Sequence, residues 1–224
     1  LIMSLELSGT TGVKGVAGSV SAPSIVGDDT NTGISFPSAD TIKFSTGGIE
    51  RMQITNSGVS GTGIGGITMA DQWRLTTDRN VSSITETIDA NWERVDHSGY
   101  GSIGSAMTES SGIFTFPSTG IYLVTFNLTM YSVSRTQRYA GALISTTINN
   151  SAYNTVATSY FNGGVNTGNG VYMCGEAKIL FDVSNTTQRK VLFRTQIESA
   201  TEGYVAANTN ENITFATFLR LGDT

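Results

Sequence analysis

Cysteine, histidine and proline are scarce here: one Cys, one His and three Pro in 224 residues. A lone cysteine excludes a disulfide framework within the chain, so stability must come from packing. One His and one Cys also exclude a structural zinc site built within a single subunit, while the sequence leaves a structural metal of another kind open. Charge is sparse too, at 14% of residues, with 13 Lys and Arg scattered singly and a net charge of −5. Surfaces that neutralise phosphates cluster their cations, so no nucleic-acid partner is expected. No apolar run approaches the roughly 20 residues needed to cross a bilayer. The opening LIMSLELSGT has neither a basic n-region nor a long apolar h-region, so neither membrane insertion nor a secretion signal is expected. Leu1 is not an initiator, and the sequence leaves open whether residues precede it or Met3 begins the chain.

What the chain does have is 26 Gly with abundant Ser, Thr and Asn, and 38% hydrophobic residues. β-Branched and aromatic residues suit pleated surfaces, and Gly and Asn suit tight turns, so the expected class is all-β. Two textures divide it. Residues 1 to about 66 carry short apolar islands, among them Ile34, Phe36, Ile42, Phe44, Ile49, Met52 and Ile54, separated by Gly, Asp, Asn or Pro. Islands this short cannot bury themselves, which predicts a β ribbon wound together with other copies of itself. A flexible tether would not need those apolar residues, and glycine lacks the collagen period of three.

From about residue 67 the alternation becomes longer and cleaner. Strands are predicted at 71–76, 92–96, 112–116, 120–131, 139–148, 155–161, 171–183, 190–199 and 212–221, the pattern of one sandwich or jelly roll. In GIFTFPSTGIYLVTF, Phe114 and Phe116 share a face, Pro117 opens a turn, and Tyr122, Val124, Phe126, Leu128 and Met130 line one side of the next strand. Ile121 and Leu123 make the start of that strand apolar on its other side as well, and the closing NITFATFLRLG is also apolar on both faces. Strands apolar on both faces need a second cover, which points to an oligomer.

Catalytic chemistry is hard to find. His97 in RVDHSGYG cannot form a triad with Asp96 and Ser98, because neighbours on an extended chain point to opposite sides. Carboxylate pairs of the kind a polysaccharide depolymerase needs would be Asp28 with Asp29, Glu86 with Asp89, or Glu198 with Glu202, all in turn-rich sequence without a sugar cleft. GDDTNTG lacks the bidentate Glu of a calcium loop and reads as a turn. Cys174 reads as a small buried apolar residue. No enzyme activity and no cofactor is therefore expected. Long polar loops supply ligand-contact candidates instead: Arg135, Arg138, Asn162, Asn166 and Tyr204, since recognition tends to sit on loops.

Gly112, Phe114, Pro117, Gly120, Tyr122, Val124 and Phe126 resemble the G-x-F-x-x-P-x-x-G-x-Y-x-[VF]-x-[FW] segment of the complement globular-head and tumour-necrosis-factor-like superfamily. ITFATFLRLG resembles its closing strand, so the likeness covers about residues 69 to 224. It implies a jelly-roll head assembled as a compact homotrimer, with Tyr122, Val124, Phe126, Phe215, Phe218 and Leu219 as candidate trimer-interface residues. Residues 21–63, with GDDTNTGI, FPSADTIKFSTGG and ERMQITNSG, resemble a module of structural and tail-fibre proteins of tailed bacteriophages, many from marine and cyanobacterial hosts. ADQWRL, NWERVD and GIFTFPSTGIYLVTFN resemble a group of such proteins too. These likenesses imply a short intertwined shaft over 1–66 and a head over 67–224 on a virion, tail or capsid. Other virion proteins would bind through the N-terminal region. The head would meet a host glycan or protein as a fibre or spike, or decorate the capsid.

Overall fold

The structure, a computed structural model, describes residues 17–61, 66–133, 137–163, 171–200 and 203–224, with the backbone at 7–8 and 12–13. Backbone contacts divide the chain into two compact units, Leu1–Gly66 and Ile67–Thr224. Among the described residues there are strands and turns and no helix.

In the first unit, β1 (Leu7–Ser8) and β2 (Gly12–Val13) form a short antiparallel ladder. An antiparallel meander follows in chain order: β3 (Ile25–Val26), β4 (Gly33–Ser35), β5 (Ile42–Thr46), β6 (Ile49–Thr55) and β7 (Gly58–Gly61). Gly47 and Gly48 close the β5–β6 hairpin with φ of 60° and 73°, the left-handed pair that a two-residue hairpin loop needs and that glycine adopts without strain. Both hydrogen-bonding edges of β4, β5 and β6 are filled by chain neighbours. The interweaving expected from the sequence therefore takes a narrower form: other copies can meet this sheet at its faces or its outer edges, not by strands threaded through it.

The second unit is a two-layer sandwich. Its strands are β8 (Met69–Leu75), β9 (Arg79–Asn80), β10 (Thr85–Thr87), β11 (Trp92–Arg94), β12 (Thr108–Ser110), β13 (Ile113–Thr115) and β14 (Gly120–Ser132). They continue with β15 (Tyr139–Thr147), β16 (Asn154–Asn162), β17 (Val171–Val183), β18 (Lys190–Ile197), β19 (Gly203–Val205) and β20 (Phe215–Gly222). One sheet runs β12-β13-β18-β15-β16, with β10 also on β18; the other runs β11-β8-β20-β14-β19-β9, with β17 on β14. The pairs β8 with β20, β13 with β18, β14 with β17 and β15 with β16 are nested, first with last and second with next to last. Nested antiparallel pairs shared between two facing sheets are a jelly roll.

GIFTFPSTGIYLVTF is the crossing between the layers. β13 belongs to one sheet and β14 to the other, so the turn at Pro117 hands the chain across the core. β14 alternates buried and half-buried along its whole length, with Tyr122, Val124, Phe126, Leu128 and Met130 inward. At the centre, the Phe114 ring lies against Trp73, Trp92, Phe193 and Phe218 at centroid separations of 5.2 to 5.6 Å. The buried Tyr122 hydroxyl donates to the Ser118 carbonyl at 3.0 Å, so its polar end is satisfied inside the core.

Candidate functional site

The structure narrows the set of candidate interface residues. Tyr122, Val124, Phe126 and Phe218 are fully covered within one chain, so they are core residues and not interface residues. The reason is strand parity: side chains two apart share a face, and this face looks into the sandwich. On β20, Ala216 and Phe218 point inward while Phe215, Thr217 and Leu219 point outward and are half-buried. Of the six candidate interface residues, Phe215 and Leu219 alone remain on an outer surface. Cys174 is corrected by the same logic. It is exposed, because Met173, Ala177, Phe181 and Val183 are the inward set of β17.

The outer face of the β11-β8-β20-β14-β17 sheet is where uncovered apolar side chains gather. Register places Leu180, Leu123, Leu219, Ala70 and Ile103 side by side across five segments. Leu180 is 63% exposed and Ile103 48% exposed. At the other end of β14, Tyr172, Tyr131 and Tyr204 form a second row. Tyr131 stacks on Tyr204 with centroids 5.0 Å apart and leans on Tyr172 at 5.4 Å; Tyr172 is 71% exposed. Burial, with the bond to Asp78 at 2.9 Å, pushes the Tyr131 phenol up to about 12. Between the rows lie Lys178, Thr125, Thr217 and Gln72, then Glu176, Asn127 and Phe215. A groove of about 380 Å³ lined by Asn127, Thr129, Cys174, Glu176, Ile213 and Phe215 opens on this part of the face. The signal in the sequence was available: within VYMCGEAKILFDV, Tyr172 and Leu180 share parity with Cys174, Glu176, Lys178 and Asp182, so they are greasy residues on a polar face.

Charged clusters at the sheet edge hold structure together. Asp71 is buried and accepts bonds from Arg94 at 2.7 Å, the Tyr100 hydroxyl at 2.6 Å, Trp73 Nε1 at 3.1 Å and the Met107 amide at 2.9 Å. These bonds pin residues 94–107 to β8. Burial and the neighbouring Asp71 carboxylate push the Tyr100 phenol up. Arg74, almost fully buried, binds Glu93 at 2.8 Å and Asp96 at 2.7 Å.

The carboxylate pairs do not assemble as acid and base. Glu86 and Asp89 both bind Arg79, at 2.6 and 2.5 Å. Burial pushes the Glu86 carboxyl up, but bonds from Arg79 and Ser82 together outweigh it and hold it low; the Arg79 bond does the same for Asp89. A catalytic acid needs the opposite shift. Asp29 accepts from Thr32 and the Asn31 amide within its turn, and those bonds lower it. Glu198 takes the Arg138 guanidinium and amide, and Glu202 lies outside the described residues. His97 is exposed, and its Nδ1 accepts from the Gly99 amide at 3.3 Å. Among the described residues no group of three or more His, Cys, Asp or Glu stands close enough to hold a metal.

Topology does bring the loop candidates together. The end of β14, the start of β15, the end of β16, the start of β17, the end of β18 and the start of β19 all meet at one end of the sandwich. Arg138, Asn162, Glu198, Tyr172 and Tyr204 flank that end; Gly163 donates to the Arg138 carbonyl at 3.0 Å. Arg135 and Asn166 lie outside the described residues. The chain enters the sandwich through β8, whose Met69 pairs with Arg220 near the end of β20, at the opposite end.

No protein-family model matches the sequence, and no curated protein matches it. Among solved structures, the chain is similar to murine APRIL at pH 8.0, with 15% identity over 68% of this chain and 98% of that one, at a TM-score of 0.42. It is also similar to Eiger TNF from S. frugiperda, with 11% identity over 71% of this chain and 96% of that one, at a TM-score of 0.47. The jelly-roll assignment rests on the nested strand pairing of the second unit.

Proposed function

We propose that this chain is a non-enzymatic, homotrimeric structural protein of a bacteriophage virion, a fibre or spike whose jelly-roll head contacts the host surface. The observation that carries assembly is the outer face of the β11-β8-β20-β14-β17 sheet, with an aliphatic row at one end and a tyrosine row at the other. Apolar surface removed from water contributes roughly 25 cal/mol per Å², and aromatic rows of this kind anchor interfaces. The choice of three copies, and of a virion, rests on the sequence resemblances. The choice of attachment over capsid decoration rests on the sandwich itself: the loop-bearing end with Arg138, Asn162 and Tyr204 is opposite the end where the chain enters. Three copies of that loop end make individually weak contacts multivalent.

Sedimentation of the full chain tests assembly. A trimer is expected at micromolar concentration, and Leu180→Lys, which places a charge in the aliphatic row, shifts it toward monomer; a monomeric parent protein overturns the proposal. Electron microscopy of the virion tests location: density at the tail supports attachment, and many copies over the capsid overturn it in favour of decoration. Release of new reducing ends from host polysaccharide would overturn the non-enzymatic reading in favour of a depolymerase.

A further inference from the structure

The first unit has an inverted burial pattern. Among its described residues only Ser35 and Ser45 are buried, while Ile25 is 55%, Val59 54% and Ile54 36% exposed. Register explains the geometry. Ile25, Ile34, Phe44 and Met52 form one row across β3 to β6, and Ile42, Ile54 and Val59 form the next row on the same face. Ser35, Lys43, Gln53 and Ser60 form a row on the opposite face. The Lys43–Glu50 ion pair, at 2.6 Å, also lies there. One face is therefore apolar over these seven residues, with Thr46 and the Arg51 guanidinium that donates to its hydroxyl at 2.7 Å at its margin, and the other face is mostly polar. A sheet must cover its apolar face with a second layer, and the buried apolar cluster contains no described residue of the first unit.

We propose that this face is covered by the same face of two further copies of the chain, three separate sheets meeting with Phe44 and its row innermost. The inference rests on the trimeric reading of the head. Two observations favour copies of the same chain as the occupant. Those seven side chains offer no charge or hydrogen-bonding group with which a foreign surface could be selected, and an apolar patch of this kind is complementary to itself. Each sheet is also covalently joined to a head, so three heads in one trimer hold three such faces at high effective concentration, ahead of any partner in solution. Because β4, β5 and β6 are already paired on both edges, face-to-face cover leaves every existing ladder intact.

The test uses the full chain with Cys174→Ser as background, adding Phe44→Cys on the apolar face or Gln53→Cys on the polar one, treated with a short bismaleimide. Sedimentation of each variant is measured in parallel. The expected result is a trimer in both, with loss of the monomer band on a denaturing gel for Phe44→Cys and its retention for Gln53→Cys. A trimer in which Phe44→Cys does not cross-link, or in which Gln53→Cys cross-links equally, overturns this inference and leaves the trimeric head standing; another virion protein then becomes the occupant. A monomer overturns both. As a second readout, Val59→Asp should leave the trimer intact but expose residues 17–61 to protease, and unchanged protection overturns the inference.

Discussion

The two units solve the same problem at different levels. Every buried apolar side chain among the described residues lies at or beyond Met69, where two sheets of the same chain face one another across Phe114, Phe126, Phe193 and Phe218. The β3–β7 meander of the first unit has similar residue types in similar alternation but a single layer, so its described Ile, Phe, Met and Val side chains stay at least partly in water. Alternation alone therefore does not make a core. A second layer does, and among the described residues the facing pair of sheets lies in the second unit.

The largest effect that would sharpen this contrast is expected from Phe114→Ala. Removing a ring that meets four other aromatic rings should destabilise the second unit by about 4 kcal/mol, measured by denaturant unfolding. Phe44→Ala should leave that same transition in place, because Phe44 belongs to the other compact unit; a shared shift would show that the two units unfold as one. Next is Asp71→Ala, which strands Arg94, Tyr100 and the Met107 amide beside a buried site. A loss of about 3 kcal/mol is expected, typical of breaking a buried charged network.

Acid should act more weakly and on the second unit first. The Glu86 and Asp89 carboxyls are held below their ordinary values in the folded state. Their contribution is thus present above the ordinary carboxylate range and is lost as pH falls through the lowered values. Unfolding midpoints should drop on acidification, and Glu86→Gln should flatten the drop by about 1 kcal/mol. Smallest of all, Lys43→Ala removes a partly exposed ion pair of the first unit and should change stability by less than about 1 kcal/mol.

Long alternating strands were legible in the amino-acid order itself. The predicted 120–131 and 171–183 correspond to Gly120–Ser132 and Val171–Val183, since thirteen-residue strands fix period and phase together. Arg79–Asn80, Thr85–Thr87, Thr108–Ser110 and Gly203–Val205 were not legible, because two or three residues show no period. The Ser111–Gly112 loop joining Thr108–Ser110 to the next strand has both residues at positive φ, 52° and 78°; Gly112 also lies where a Cβ would sit 2.4 Å from the Ile88 carbonyl. Dipeptides of this kind mark a hairpin, yet the partner strand was too short to notice.

Assembly residues were less legible than the strands that carry them. A strand with apolar residues on both sides, such as GIYLVTF, announces two covered faces without saying which one the chain covers itself. Composition and periodicity by themselves determined an all-β chain, a change of character near residue 67, and two apolar faces on the strand through Tyr122 and on the one through Phe218. Only the tertiary structure decided that Tyr122 and Phe218 look inward while Leu123, Leu180 and Leu219 look out. Side-chain period fixes which residues share a face, but the packing of one sheet on another fixes which face is inside.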